Sequence, residues 1–124
     1  IDLDDFKGVN DEHGHAAGDA VLVEVGRRLT ATLPGLGEQA IAARLSGDEF
    51  AVLAVGDAAL DPAAVRRTVI DAVERPVVVE GAPLPVAASV GVATSWDGVL
   101  DPSRLLRAAD LAMYEVKRAA ANAG

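Results

Sequence analysis

Apolar positions in this chain recur with two different periods, and the periods alternate along it. Val21, Leu22, Val25, Leu29 and Leu33 fall three or four residues apart, which is the spacing of one helix face. The pattern predicts a helix over 17–33 that stops at Pro34-Gly35. Ahead of it, Ile1 to Asp4 reads as the end of a strand running into a polar turn. Two short apolar runs follow, Ala40 to Leu45 and Glu49 to Val55, joined at Ser46-Gly47. A Ser-Gly pair between apolar runs is a hairpin signal. Asp61-Pro62 offers a cap and a first-turn proline for a helix reaching Glu74. Val77 to Val79 and Leu84 to Ala93 read as a second hairpin turning at Gly81-Ala82. Asp101-Pro102 repeats the cap-plus-proline device. It opens a last helix expected to bury Leu105, Leu106, Ala109, Ala112, Met113 and Val116.

The predicted order is strand, helix, hairpin, helix, hairpin, helix. Adjacent hairpins favour a mostly antiparallel sheet with helices packed against it, an α+β layout. No G-x-G-x-x-G or Walker sequence is present, and the order is not that of a Rossmann fold. There is no internal repeat and no low-complexity linker.

Composition narrows the picture. The 124 residues suffice for one domain with one core, and 51% of them are apolar. Aromatics make up 3%, so Leu, Val, Ile and Ala must fill that core. The absence of cysteine excludes disulfides and thiolate metal sites and suits the cytosol. A formal net charge of -8 argues against bulk attraction to nucleic acid or an anionic membrane. No apolar run approaches the roughly 20 residues of a membrane span. The chain opens inside an apparent strand without Met, as an excised piece of a longer protein would.

Three stretches carry candidate chemistry. In Asp2-Leu3-Asp4 the two carboxylates are two apart, so on a strand they share a side. They repel unless a cation lies between them or they splay. Oxygen ligands of this kind suit Mg²⁺, which keeps waters and shares substrate phosphates. A solvated acidic loop fits the spacing equally well. In Ser46-Gly47-Asp48-Glu49-Phe50, two acids follow a hairpin tip and face opposite sides. One could join a metal and the other act as a base, or both could simply keep the turn soluble. In Ala109-Asp110 through Lys117, an amphipathic helix presents a lysine suited to phosphate or to plain solvation.

Taken in order, these stretches resemble the GGDEF family of diguanylate cyclases, over essentially the whole chain. Asp2-Leu3-Asp4, Phe6-Lys7, Asn10-Asp11, Gly14-His15, Gly18-Asp19, Ser46-Gly47-Asp48-Glu49-Phe50, Ser89-Val90-Gly91 and Ala109-Asp110 through Lys117 carry the resemblance. It implies a palm-like fold, similar to the adenylyl cyclase and polymerase palms. It implies condensation of two GTP into cyclic di-GMP and two pyrophosphates, the 3′-hydroxyl of one GTP attacking the α-phosphorus of the other. Each domain would hold one GTP, so a homodimer is needed. The cofactor implied is Mg²⁺ or Mn²⁺, held by Asp2, Asp48 and the Leu3 carbonyl. Asn10 and Asp19 would read guanine, with His15 beside the nucleotide. Lys7 and Lys117 would bind phosphates, as would backbone N–H groups near Phe6 and Gly47. Glu49 is the implied proton acceptor. The implied setting is cytoplasmic, or the cytosolic part of a membrane-anchored protein, fused to sensory or phosphodiesterase domains.

The chain departs from the family pattern at four places. The leading glycine of the hairpin motif is Ser46, which would cost roughly 1 kcal/mol if the position needs a positive φ. The arginine that follows the helical lysine is Ala121, removing a charge-assisted hydrogen bond of ~1.5–3 kcal/mol. The Arg-x-x-Asp of product inhibition is replaced at Gly37 and Ala40, so no feedback through that site is expected. The family's first helix and the start of its first strand are missing, leaving a single domain over 1–124 that begins in mid-strand.

Overall fold

The strand at the start of the chain is two residues long, yet it lies inside the sheet. A computed structural model describes residues 1–56, 61–95 and 101–123. The elements are β1 (Asp2–Leu3), α1 (Phe6–His13), α2 (His15–Thr32), β2 (Gln39–Ser46), β3 (Glu49–Val55), α3 (Pro62–Val73), β4 (Val77–Val79), β5 (Ala82–Leu84), β6 (Ala88–Ser89) and α4 (Pro102–Ala123). A 3-10 turn, Leu33–Gly35, closes α2. The main sheet has the order β2-β3-β1-β6, and every pairing in it is antiparallel. β4 and β5 form a separate two-stranded ribbon. This is the palm-like α+β architecture expected.

The core lies on the face of the sheet that carries Leu3 and Phe50. Val21, Val25 and Leu29 of α2 and Val69 and Val73 of α3 close over it. On α2 the buried positions follow the helical spacing read from the sequence. The opposite face carries Asp2, Glu49 and Ser89, which are paired across the strands and therefore point the same way. α4 lies against this second face. Both expected helix caps are in place: the Asp61 carboxylate accepts the Ala63 N–H at 3.0 Å, and Asp101 accepts from Ser103 and Arg104 at 3.1 and 3.3 Å.

Four expectations need correcting. The polar turn after Asp4 is in fact the start of helix α1. Its one buried side chain, Phe6, is too little for an apolar period to show. The first hairpin turns at Gly47-Asp48, because Ser46 still pairs with Glu49 after a register shift between Arg44 and Ser46. The second hairpin turns at Glu80-Gly81, since Val79 pairs with Ala82. Both turn residues have positive φ, 51° and 81°, as a two-residue turn matching strand twist requires. The strand expected from Leu84 to Ala93 is broken. β5 ends at Leu84, and β6 leaves the ribbon to pair with β1.

The buried face of α4 also differs from expectation. Met113 is buried, Leu105, Ala109, Ala112 and Val116 are half-buried, and Leu106 is exposed. The sheet beside α4 is open as well: Ile41, Leu53 and Val55 are exposed there. α4 therefore covers only the β1–β6 side of this face.

Arg28 ties α2 to the end of α3. It is buried, and its guanidinium donates to the carbonyls of Val73, Arg75 and Pro76. Those carbonyls include acceptors left over where a helix ends. Glu24 completes the arrangement by accepting from Arg28 at 3.2 Å. The Arg27 hydrogen bond, with Arg28 behind it, holds the Glu24 carboxyl down to about 2. Arg28→Ala strands several acceptors at once, so we expect a loss of about 2–4 kcal/mol in urea unfolding. A loss below about 0.5 kcal/mol would show that water replaces the guanidinium freely.

Candidate active site

The site forms where β1 and β6 run under α4. Asp2 is opposite Glu49 on one side and Ser89 on the other. The three side chains share a face, and α4 brings Lys117 to it. Lys117 Nζ lies 3.0 Å from Asp2 Oδ1 and 3.9 Å from Asp4 Oδ1. Ser89, itself buried, donates its hydroxyl to Asp4 Oδ1 at 2.8 Å. Asp4 is thus oriented by the core, and its backbone N–H is also bound, to the Ala87 carbonyl at 2.8 Å.

Asp2 Oδ1 is different. It is buried, and no group among the described residues donates a hydrogen bond to it. The lysine is close enough for an ion pair but is not aligned as a hydrogen-bond donor. A buried carboxylate oxygen without a donor is costly unless a cation serves it. The donor set fits a hard divalent ion of the Mg²⁺ class. Such ions need only one or two carboxylates, with waters and substrate phosphates filling the rest of the shell. The fit ends there, since no three acidic, histidine or cysteine groups converge among the described residues. The chain alone does not form a closed cage.

The other expected site residues are distributed as follows. Leu3 is buried in the core, and its N–H donates to the Asp48 carbonyl at 3.1 Å. This locks β1 to the hairpin turn that holds Asp48. Glu49, not Asp48, is the acid across from Asp2. Phe6 is buried, so only its backbone is free for a ligand. Lys7 is exposed on the first turn of α1. Asn10 is half-buried and rests on Gly18. A Cβ added at Gly18 would lie 1.8 Å from Asn10 Oδ1, so glycine there is what lets Asn10 sit between the two helices. Asp19 follows it, exposed on α2, and His15 is exposed at the start of that helix.

Asp19 also lines a groove of about 540 Å³ with Val23, Arg28 and Val77. None of Asp2, Glu49 or Lys117 lines that groove. Gly47 has open space around its Cα, with no atom within 4 Å of an added Cβ. Ser46 does not have a positive φ: among described non-glycine residues only Asp5 and Glu80 do. Serine at the head of the hairpin motif therefore carries no left-handed strain. Ala121 is exposed on α4 and offers no polar atom. The sequence pointed to Asp4 only as a neighbour of Asp2. It gave no signal for the role of Ser89, which lies 85 residues away.

The chain is similar over nearly its whole length to proteins of one family. The profile of the family "Diguanylate cyclase, GGDEF domain" matches residues 1–123. An uncharacterized signaling protein from Caulobacter vibrioides is 40% identical over 119 residues, 94% of this chain and 14% of that protein. The diguanylate cyclase TpbB from Pseudomonas aeruginosa is 38% identical over 122 residues, 97% of this chain and 27% of its own length. The crystal structure of the diguanylate cyclase SiaD from Pseudomonas aeruginosa, in complex with its activator SiaC, matches with a TM-score of 0.82 at 37% identity. That match covers 95% of this chain and 44% of the SiaD chain. The chain thus spans well under half the length of either curated relative.

Proposed function

Because the chain belongs to the GGDEF domain family over residues 1–123, we propose that it is the cyclase domain of a protein that condenses two GTP into cyclic di-GMP. The observation that carries this reading is the buried, donor-less Asp2 Oδ1 on a face shared with Asp4, Glu49 and Lys117. A plain structural ion pair needs one acid, whereas Lys117 has two within 4 Å, with Glu49 across from Asp2 on the same face. A divalent ion held there would polarise the reacting hydroxyl and phosphate oxygens.

The chain's own groups do the rest. Asp2, the Leu3 carbonyl and Asp48 at the turn would hold the ion, Mg²⁺ or Mn²⁺. Glu49, opposite Asp2, accepts the proton of the attacking 3′-hydroxyl and lies on the face where it could also touch the ion. Asn10, steadied by Gly18, and Asp19 read the donor and acceptor edges of guanine, with His15 beside them. Lys7 and Lys117 neutralise phosphates. The backbone near Phe6 and the open side of Gly47 admit phosphate oxygens closely. One GTP per domain requires two domains face to face, so the working unit is a homodimer. The relatives extend far beyond the matched part, which supports fusion to sensory or phosphodiesterase domains. No helix among the described residues is long and apolar enough to cross a membrane. The proposed setting is the cytoplasm, with no nucleic acid partner.

A second reading is a GTP-binding domain of weak activity that regulates an attached phosphodiesterase. Ala121 favours it, because an exposed alanine stands where a phosphate ligand is expected. One experiment separates the two. The full-length protein is incubated with GTP and Mg²⁺, and GTP affinity and cyclic di-GMP are both measured. Product formation supports the cyclase, and tight binding without product supports the regulatory domain. Absence of GTP binding sinks both.

A further inference from the structure

We infer that Lys117 is a built-in occupant of the cation site, which a divalent ion must displace and which is thereby released to the triphosphate. The inference rests on the nucleotide-and-metal reading above and deepens it.

Lys117 Nζ is 3.0 Å from Asp2 Oδ1 and 3.9 Å from Asp4 Oδ1. It is the cation serving a buried oxygen that has no hydrogen-bond donor. The two acids do not compete equally for it. Asp4 Oδ1 already accepts the Ser89 hydroxyl, so the uncompensated charge is concentrated on Asp2. Glu49, across from Asp2, adds a third negative group to the same face. An ammonium and a divalent ion that share one carboxylate oxygen repel each other, and the repulsion rises as the inverse of their separation. Entry of the ion therefore favours release of the lysine.

The lysine is built for that movement. Its side chain is 41% exposed, whereas that of Asp2 is 18% exposed. It belongs to α4, at the rim of the site, and a lysine stem swings without disturbing its helix. Outside the carboxylates, the compensation available to its charge is solvent or a bound polyphosphate. The two ligands thus become coupled: the ion alone must overcome the ion pair, and nucleotide helps by accepting the freed ammonium. Positive coupling of this kind is reciprocal. The arrangement disfavours a metal-loaded but empty site and favours arrival of the metal with the nucleotide.

The test uses the full-length protein and Lys117→Met, which keeps the length and apolar stem of the side chain. Mn²⁺ binding is followed by the magnetic resonance signal of the free ion, without nucleotide and then with a non-hydrolysable GTP analogue. Without nucleotide, K117M should bind Mn²⁺ about fivefold more tightly, the scale of one partly exposed ion pair. With Mn²⁺ saturating, it should bind the analogue about tenfold more weakly. The opposite signs are the signature, because a merely structural lysine would weaken both or neither. The melting temperature should also rise more on adding Mn²⁺ to K117M than to the wild type. Wild-type binding of both ligands, with Mn²⁺ affinity equal or weaker in K117M, overturns the inference alone. Failure of the wild type to bind either ligand overturns the cyclase reading and the inference with it.

Discussion

Asp2→Asn should lower cyclic di-GMP formation by roughly a thousandfold, or about 4 kcal/mol of transition-state stabilisation. Asparagine keeps the size of the side chain, and β1 is held by backbone bonds to the hairpin turn and to β6, so the fold should survive. What is lost is the charge on a buried oxygen that no protein donor serves. Lys117 loses its nearer partner at the same time. The measurement is product formed per unit time by the full-length protein at saturating GTP and Mg²⁺. Circular dichroism of the variant checks that the sheet is intact. A folded variant losing less than about tenfold would remove Asp2 from the metal site. Asp48→Ala and Glu49→Gln extend the test to the two acids of the hairpin. Each should cost far more in turnover than in stability, because both are only half-buried, one in a turn and the other on the second face of the sheet.

The second large effect is on stability. Gly91 follows β6, where α4 passes directly over the chain. An added Cβ at this position would lie 2.1 Å from the Met113 N and 2.3 Å from the Ala109 carbonyl oxygen. Both obstacles are helix backbone, so no side chain can rotate out of the way. Gly91→Ala must push α4 off the sheet, and overpacking of this kind costs about 2–3 kcal/mol. Met113, the buried residue of α4 nearest this point, loses its seat. Lys117 lies one turn further along the same helix, so its ion pair with Asp2 should open as well. Urea unfolding of Gly91→Ala beside the wild type reads the loss, provided the denaturant slope is unchanged. A change within about 0.5 kcal/mol would show that α4 can slide without cost. It would also mean that the closeness of Lys117 to Asp2 is not enforced by packing.

Ser46 and Ala121 change standing when geometry is considered. Ser46 raised a doubt on the sequence because glycine there could signal a left-handed backbone. The backbone is not left-handed at this position, and the neighbouring Gly47 is open rather than crowded. The strain part of that doubt is removed. Ala121 keeps its weight, since an exposed alanine on α4 supplies no phosphate ligand. The question of activity therefore turns on whether Lys7 and Lys117 hold a triphosphate well enough alone.

Elements whose cause is local could be read from the chain. The α2 stripe, the Asp61 and Asp101 caps and the first hairpin each depend on residues a few positions apart. Helix α1 escaped because eight residues with a single buried side chain do not display a period. The break between β5 and β6 escaped because continuous apolar character does not say which partner a strand takes.

The site divides in the same way. The sequence by itself determined the family and the α+β layout, and it singled out the residues proposed to bind guanine, phosphate and a divalent ion. Only the tertiary structure decided that Asp2 faces Glu49 and Ser89, that Ser89 holds Asp4, and that Lys117 rests on Asp2. The physical reason is distance along the chain. Antiparallel register and the seating of α4 on Gly91 bring together groups from its two ends, and a local pattern carries no information about which distant strand or helix will arrive.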